Sequence, residues 1–307
     1  MFPRVLFPTD LSQHAWELVD CLADLKAIGT QEIVVLYVVG PTHAVGMATD
    51  YLGRALQWKA EAERCLEAVR QKVIGLGLRA TCRVEVGSPD FVINQVAADE
   101  AVSLIAMGTH GHGFVKGALI GSVTHEVVQH APVPVLVMKL RQLEHLDRRR
   151  CDAVCSAFFR RVLLPVDFSA CSNEAVRLVK RFDSAVTDRV FVLHVLQPPF
   201  LEGRFDRRRE DSERAARERL EQIGRELAFF GLNATALLRA GDPFHEIVEL
   251  CNQEDVSLIV IGSKGRSALA DVLLGSVSDA VVRHHPRPVL VVRGEGACAA
   301  AAGLNAA

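Results

Sequence analysis

Two stretches of the chain place the same set of small residues behind an apolar run. Met107–Thr124 reads MGTHGHGFVKGALIGSVT, and Ile261–Ser278 reads IGSKGRSALADVLLGSVS. Both obey G-x2-G-x9-G-S, through Gly108, Gly111, Gly121 and Ser122 in the first and Gly262, Gly265, Gly275 and Ser276 in the second. A glycine where a strand ends admits φ > 0 and a close backbone approach. Successive amide N–H groups there can form a concave anion site. A Gly-Ser pair that opens a helix adds N–H groups with no intrahelical partner, at the positive end of the helix dipole. Ser122 and Ser276 are expected to cap these helices and to offer a hydroxyl to the same anion. Together the pieces describe a polyphosphate grip built mostly of backbone.

Other phosphate motifs fail on spacing. Neither copy has the G-x4-G-K-[ST] of a P-loop. The dinucleotide pattern G-x-G-x-x-G begins at Gly111-His112-Gly113, but Lys116 takes the third glycine's place. That pattern also belongs after a first strand, not a fourth. Asp10 and Asp167 each close a P-x-D segment, Pro8-Thr9-Asp10 and Pro165-Val166-Asp167, at the end of a first strand. Such strand ends line the ligand crevice of an open α/β sheet, where a carboxylate can accept from a ribose or sit near a metal. Capping of the following helix is the other reading. Val38 and Val195 end second strands and are either the floor of an adenine pocket or ordinary core. His110 and His112 lack a third ligand partner, so they read as solvent-facing loop residues, and no metal site is assigned.

These motifs sit in a duplicated frame. RVLFPTDLS, Arg4–Ser12, returns as RVLLPVDFS, Arg161–Ser169, 157 positions later. VSLIAMGTHG, Val102–Gly111, returns as VSLIVIGSKG, Val256–Gly265, 154 positions later. A period this long means duplicated domains and not a solenoid of short units. The predicted boundaries are domain 1 over 1–140, a charged linker over 141–159, domain 2 over 160–294 and a low-complexity tail over 295–307.

Within each copy strands and helices alternate. In the first, the strand Arg4–Phe7 leads into a helix capped by Ser12 and running to about Ala27. Strands follow over Glu32–Val39, Arg79–Val86, Val102–Gly108 and Pro132–Met138, with helices over Gly53–Ile74, Asp90–Glu100 and after Gly121. Unbroken apolar strands between helices imply a parallel sheet covered on both faces, an α/β sandwich. The last strands, PVPVLVM and PRPVLVV, are apolar edges that need cover.

Bulk properties narrow the function. Half of the 307 residues are hydrophobic, which fits folded domains, and the net charge of −2 argues against a nucleic-acid binder. No apolar run reaches the ~18 residues of a membrane span, and the N-terminus lacks a signal-peptide pattern. The eight cysteines form no CxxC pair, so buried, reduced thiols in a cytoplasmic protein are expected.

The glycine–serine signature, kept in both copies, resembles that of the universal stress protein family in its tandem, two-domain form and its ATP-binding branch. The resemblance implies two five-stranded parallel sheets of order 3-2-1-4-5, of the adenine nucleotide alpha hydrolase-like class, with the nucleotide where strands 1 and 4 meet. It implies ATP, ADP or AMP as the ligand, with magnesium as an accompanying ion. It places Pro8, Thr9, Asp10 and Val38 near the ribose and base of the first site, and Pro165, Val166, Asp167 and Val195 in the second. Met107, Gly108, Thr109, His110, Gly111, Gly121, Ser122, Val123 and Thr124 hold ribose and phosphates in the first. Ile261, Gly262, Ser263, Lys264, Gly265, Arg266, Gly275, Ser276, Val277 and Ser278 do so in the second. Thr124 and Ser278 match a family hydroxyl that joins the phosphate site. The resemblance also implies pairing of the two domains within the chain, with homodimerisation as a further option. The function it implies is a nucleotide-binding switch in a stress response, with slow or no hydrolysis. A genuine slow ATPase and a ligand-free dimerising scaffold are the alternatives.

Overall fold

The computed structural model describes residues 1–40, 51–109, 120–139, 157–197, 206–265 and 274–293. It divides the chain into two compact units, with Ala157 in the first and Phe158 opening the second.

In the first unit the order is β1 (Arg4–Pro8), α1 (Gln13–Cys21), β2 (Glu32–Val39), α2 (Tyr51–Gly75), β3 (Arg79–Val86), α3 (Pro89–Asp99), β4 (Leu104–Gly108), α4 (Ser122–His130) and β5 (Val135–Met138). The second unit repeats it as β6 (Arg161–Pro165), α5 (Ala170–Val179), β7 (Arg189–Leu196), α6 (Asp206–Phe229), β8 (Ala234–Ala240), α7 (Pro243–Gln253), β9 (Leu258–Gly262), α8 (Ser276–His284) and β10 (Val289–Val292). The strand orders are β3-β2-β1-β4-β5 and β8-β7-β6-β9-β10, the predicted 3-2-1-4-5 in both. Every pairing within each unit is parallel.

The strand sequences follow from their places. Val5, Leu6 and Phe7 of β1 and Leu104, Ile105 and Ala106 of β4 are wholly buried, so the middle of a central strand is apolar on both faces. On the outer strand β3 only Val84 is buried. The long charged helix α2 is anchored by Ala62, Leu66, Val69 and Val73, an i, i+4, i+7, i+11 stripe. Ala216, Leu220, Ile223 and Leu227 repeat the stripe on α6.

The backbone repeats as closely as the packing. Three pairs of left-handed residues match between the units: Leu11 (φ 62) with Phe168 (φ 64), Ala101 (φ 47) with Asp255 (φ 44), and Gly77 (φ 80) with Gly231 (φ 82).

Two expectations are corrected. Ser12 does cap α1, accepting from the Ala15 N–H, but the α-helix stops at Cys21 and continues as a 3-10 helix over Leu22–Ile28. Leu22, Leu25 and Ile28 are the buried residues of that segment, and three-residue spacing aligns on one face only at three residues per turn. The cysteines are not all buried free thiols. Cys21 is disulfide-bonded. Of the free thiols among the described residues, Cys65 and Cys82 are exposed, Cys171 is half-buried and only Cys251 is buried. Burial pushes the Cys251 thiol up to about 12, so it stays protonated and inert at neutral pH. No helix among the described residues is long and apolar enough to cross a membrane.

Candidate functional site

Strand order reverses where β1 meets β4 and where β6 meets β9, which opens a crevice at the carboxyl ends of those strands. Each crevice gathers three pieces: the turn after the first strand, the glycine segment after the fourth, and the start of the last helix.

In the first unit Thr9 is buried and its N–H donates to Leu36 O, which aligns the end of β1 with β2. The Asp10 carboxylate then accepts from both the N–H and the hydroxyl of Ser12, at 3.1 and 2.7 Å. In the second unit the Asp167 carboxylate accepts from the Ser169 N–H at 3.0 Å. Neither aspartate is the helix cap, which is Ser12 in α1 and Ser169 in α5. The residue between aspartate and cap is left-handed in both units, a conformation that side chains with a Cβ resist and that clusters at functional sites. Burial, then the Asp10 charge, pushes the pKa of the neighbouring Tyr37 up, so its phenol stays protonated.

The spacing of the glycines has a steric cause, visible in the second unit. A Cβ on Gly262 would lie 2.7–2.9 Å from backbone atoms of Cys171 and Ser172, because the start of α5 crosses directly over the end of β9. A Cβ on Gly265 would lie 2.9 Å from an Asp167 carboxylate oxygen. A Cβ on Gly275 would lie 3.2 Å from the Gly265 nitrogen. The three glycines are therefore the points where helix, aspartate and loop converge. This corrects the expectation of positive φ, since none of these residues is among the left-handed ones. The segment is closed at its neck by Gly275 N–H donating to Ser263 O at 2.7 Å, and in the first unit by Gly121 N–H donating to Thr109 O at 2.6 Å. His110, Gly111 and Arg266 lie outside the described residues.

The last helices open as predicted but not with the predicted cap. Gly121 and Gly275 occupy the N-cap positions, with no side-chain cap bond, and Ser122 and Ser276 are the first helical residues. Both serines are exposed, and Val123 and Val277 are half-buried. The leading amides of α4 and α8 thus meet the crevice without a hydroxyl or carboxylate capping them, the arrangement that favours an anion. Thr124 and Ser278 are buried, and their hydroxyls donate to Gly108 O at 2.9 Å and Gly262 O at 2.7 Å. That bond fixes the helix start to the strand end. A Thr124→Val variant, isosteric but without the donor, is expected to destabilise the first unit by about 1–2 kcal/mol through the orphaned Gly108 carbonyl, read by thermal or urea melting.

The remaining predicted residues fall at the same edges. Pro8 and Pro165 end β1 and β6, Met107 and Ile261 are buried near the ends of β4 and β9, and Val166 and Ser263 are buried beside the crevice. Val38 and Val195 are half-buried near the ends of β2 and β7, unlike the sealed valines earlier in those strands. Lys264 and Gly265 are half-buried in the glycine segment. Sequence reasoning missed one cluster: the Phe168 ring meets the His194 ring with centroids 4.5 Å apart, and the Arg219 guanidinium lies 4.3 Å from the Phe168 centroid. The signal was one of the two differences between the P-x-D-x-S turns, leucine at 11 against phenylalanine at 168.

Comparison with known proteins agrees with this architecture. The family model described as the universal stress protein family matches residues 1–139 and again 158–293. A universal stress protein of Methanocaldococcus jannaschii is 29% identical over 157 residues, covering 45% of this chain and 97% of the relative. A universal stress protein of Mycolicibacterium smegmatis is 25% identical over 299 residues, covering 94% of this chain and 96% of the relative. The solved structure of a universal stress protein from Archaeoglobus fulgidus superposes with a TM-score of 0.71 at 28% identity, covering 95% of this chain and 99% of that one. Two family matches end to end, on two sheets of one strand order, mean that the chain belongs to the universal stress protein family and carries its domain in tandem.

Proposed function

We propose that each unit binds an adenine nucleotide at its crevice, and that the protein acts as a nucleotide-dependent switch in a stress response and not as a fast catalyst. The observation that carries this reading is the convergence, in the second unit, of Gly262, Gly265 and Gly275 with the Asp167 turn and the uncapped start of α8. The donor set fits the ligand. The Ser276, Val277 and Ser278 amides are oriented for phosphate oxygens, Lys264 adds charge beside them, Asp167 suits ribose hydroxyls, and Val195 offers an apolar edge for a base. The first unit supplies Ser122–Thr124, Asp10 and Val38 in the same roles. Magnesium would enter with the phosphates. Among the described residues no group of three or more His, Cys, Asp or Glu is set to hold an ion.

Weak turnover follows from what phosphoryl transfer requires beyond a grip, a group that orients water against the terminal phosphate. Glu126, the acidic residue nearest the start of α4, lies beside His130 one turn along the helix at 3.6 Å. Calorimetry with ATP, ADP and AMP, with and without magnesium, tests the proposal, alongside mass spectrometry of nucleotide carried through purification. Binding of at least one of them at two sites per chain is expected. Absence of heat for all three sinks the reading, and steady ADP release from ATP moves it to the slow ATPase.

Charge distinguishes the sites. Where the second unit has Lys264, the matching position of the first is His110. Lys264→Ala is expected to weaken ATP binding to the second unit about tenfold, the scale of one charge-assisted hydrogen bond, and to leave AMP binding nearly unchanged.

A further inference from the structure

We propose that Phe168 is a positioning residue for the second crevice, gripped by Arg219 and His194, and that this grip makes the second site the tighter of the two. The inference rests on the nucleotide-binding reading above. Phe168 stands between Asp167, whose carboxylate lies against Gly265, and Ser169, whose hydroxyl donates to Lys264 O at 3.1 Å. The turn at Phe168 therefore sets where the aspartate and the glycine segment sit relative to each other.

The left-handed dihedral does not by itself distinguish the units, because Leu11 shares it. What differs is how the residue is held. The Phe168 ring is tilted 35° to the His194 ring at 4.5 Å and takes the Arg219 guanidinium at 4.3 Å, within cation–π range. His194 is itself fixed, its Nδ1 lying 2.6 Å from Val166 O. A carbonyl only accepts, so that nitrogen carries the proton. One residue of β7 thus holds the turn at both Val166 and Phe168.

The corresponding residues in the first unit are Leu11, Tyr37 and Cys65, which offer neither a ring at the turn nor a cation to cover it. A ligand that needs one geometry of this turn binds with an affinity reduced by the fraction of time the turn is elsewhere. The grip raises that fraction in the second unit.

The test uses the full chain carrying Ser122→Asp, so that ATP binding reports on the second unit, with melting followed in parallel. Phe168→Leu, the residue of the first unit, is expected to weaken ATP binding about tenfold, and Arg219→Ala about threefold. Arg219 is exposed on α6, so its removal does not threaten the fold. Arg219→Lys keeps the cation and is expected to recover most of that loss. Phe168→Gly separates positioning from plain stability, since glycine accepts the left-handed dihedral freely: affinity should fall while the melting temperature holds. Phe168→Leu and Arg219→Ala proteins that bind ATP as tightly as the parent overturn the positioning role and leave nucleotide binding standing. A parent that binds no ATP overturns both.

Discussion

Ser276→Asp is expected to weaken ATP binding to the second unit by at least about a hundredfold, with no loss of thermal stability. The residue is the first of α8 and exposed, so aspartate there needs no repacking. A carboxylate in the first helical turn favours the helix by about 0.3–1 kcal/mol through the dipole. The same carboxylate competes with phosphate for the leading amides and repels its charge, and the loss of a few charge-assisted hydrogen bonds is worth about 1.5–3 kcal/mol each. Stability and binding should therefore move in opposite directions, which a merely structural role for the serine does not produce. Two-site calorimetry with a melting curve on the same sample measures both. Ser122→Asp should do the same to the first unit.

Gly262→Ala is expected to damage the fold and the site of the second unit together. The added methyl would meet the Cys171 carbonyl carbon at 2.7 Å, the Ser172 nitrogen at 2.8 Å and the Cys171 oxygen at 2.9 Å. All three are backbone atoms at the start of a helix, so no side chain can swing away. Relief requires α5 to lift from the end of β9, and overpacking of this kind costs about 1–3 kcal/mol. Because Ser169 caps α5 and also bonds the Lys264 carbonyl, the lift carries the Asp167 turn away from the glycine segment. ATP affinity of the second unit should drop with its melting temperature, while the first unit keeps both. Equal stability of the variant and the parent would mean that α5 is not seated where the structure places it.

The sheet was legible in the sequence because its central strands are buried on both faces, which forces unbroken apolar runs such as Leu104–Met107. The long helices were legible from stripes such as Ala62, Leu66, Val69 and Val73. The change of helix type at Leu22 was not, because the apolar spacing that marks it spans a single short segment. At the site, the glycines and the aspartates could be found by type and spacing, but the reason for each glycine could not. Gly262 is small because of Cys171, and Gly265 because of Asp167, contacts that join distant parts of the chain. Local pattern carries propensity, not what a fold brings alongside. The Arg219–Phe168–His194 cluster was hidden for the same reason, since its members come from a helix, a turn and a strand.

The amide-to-carbonyl clasps at Gly121–Thr109 and Gly275–Ser263 are nearly the same length, 2.6 and 2.7 Å. Each clasp joins the residue just past a fourth strand to the glycine that caps the last helix, so strand end and helix start are held as one piece whatever sequence separates them.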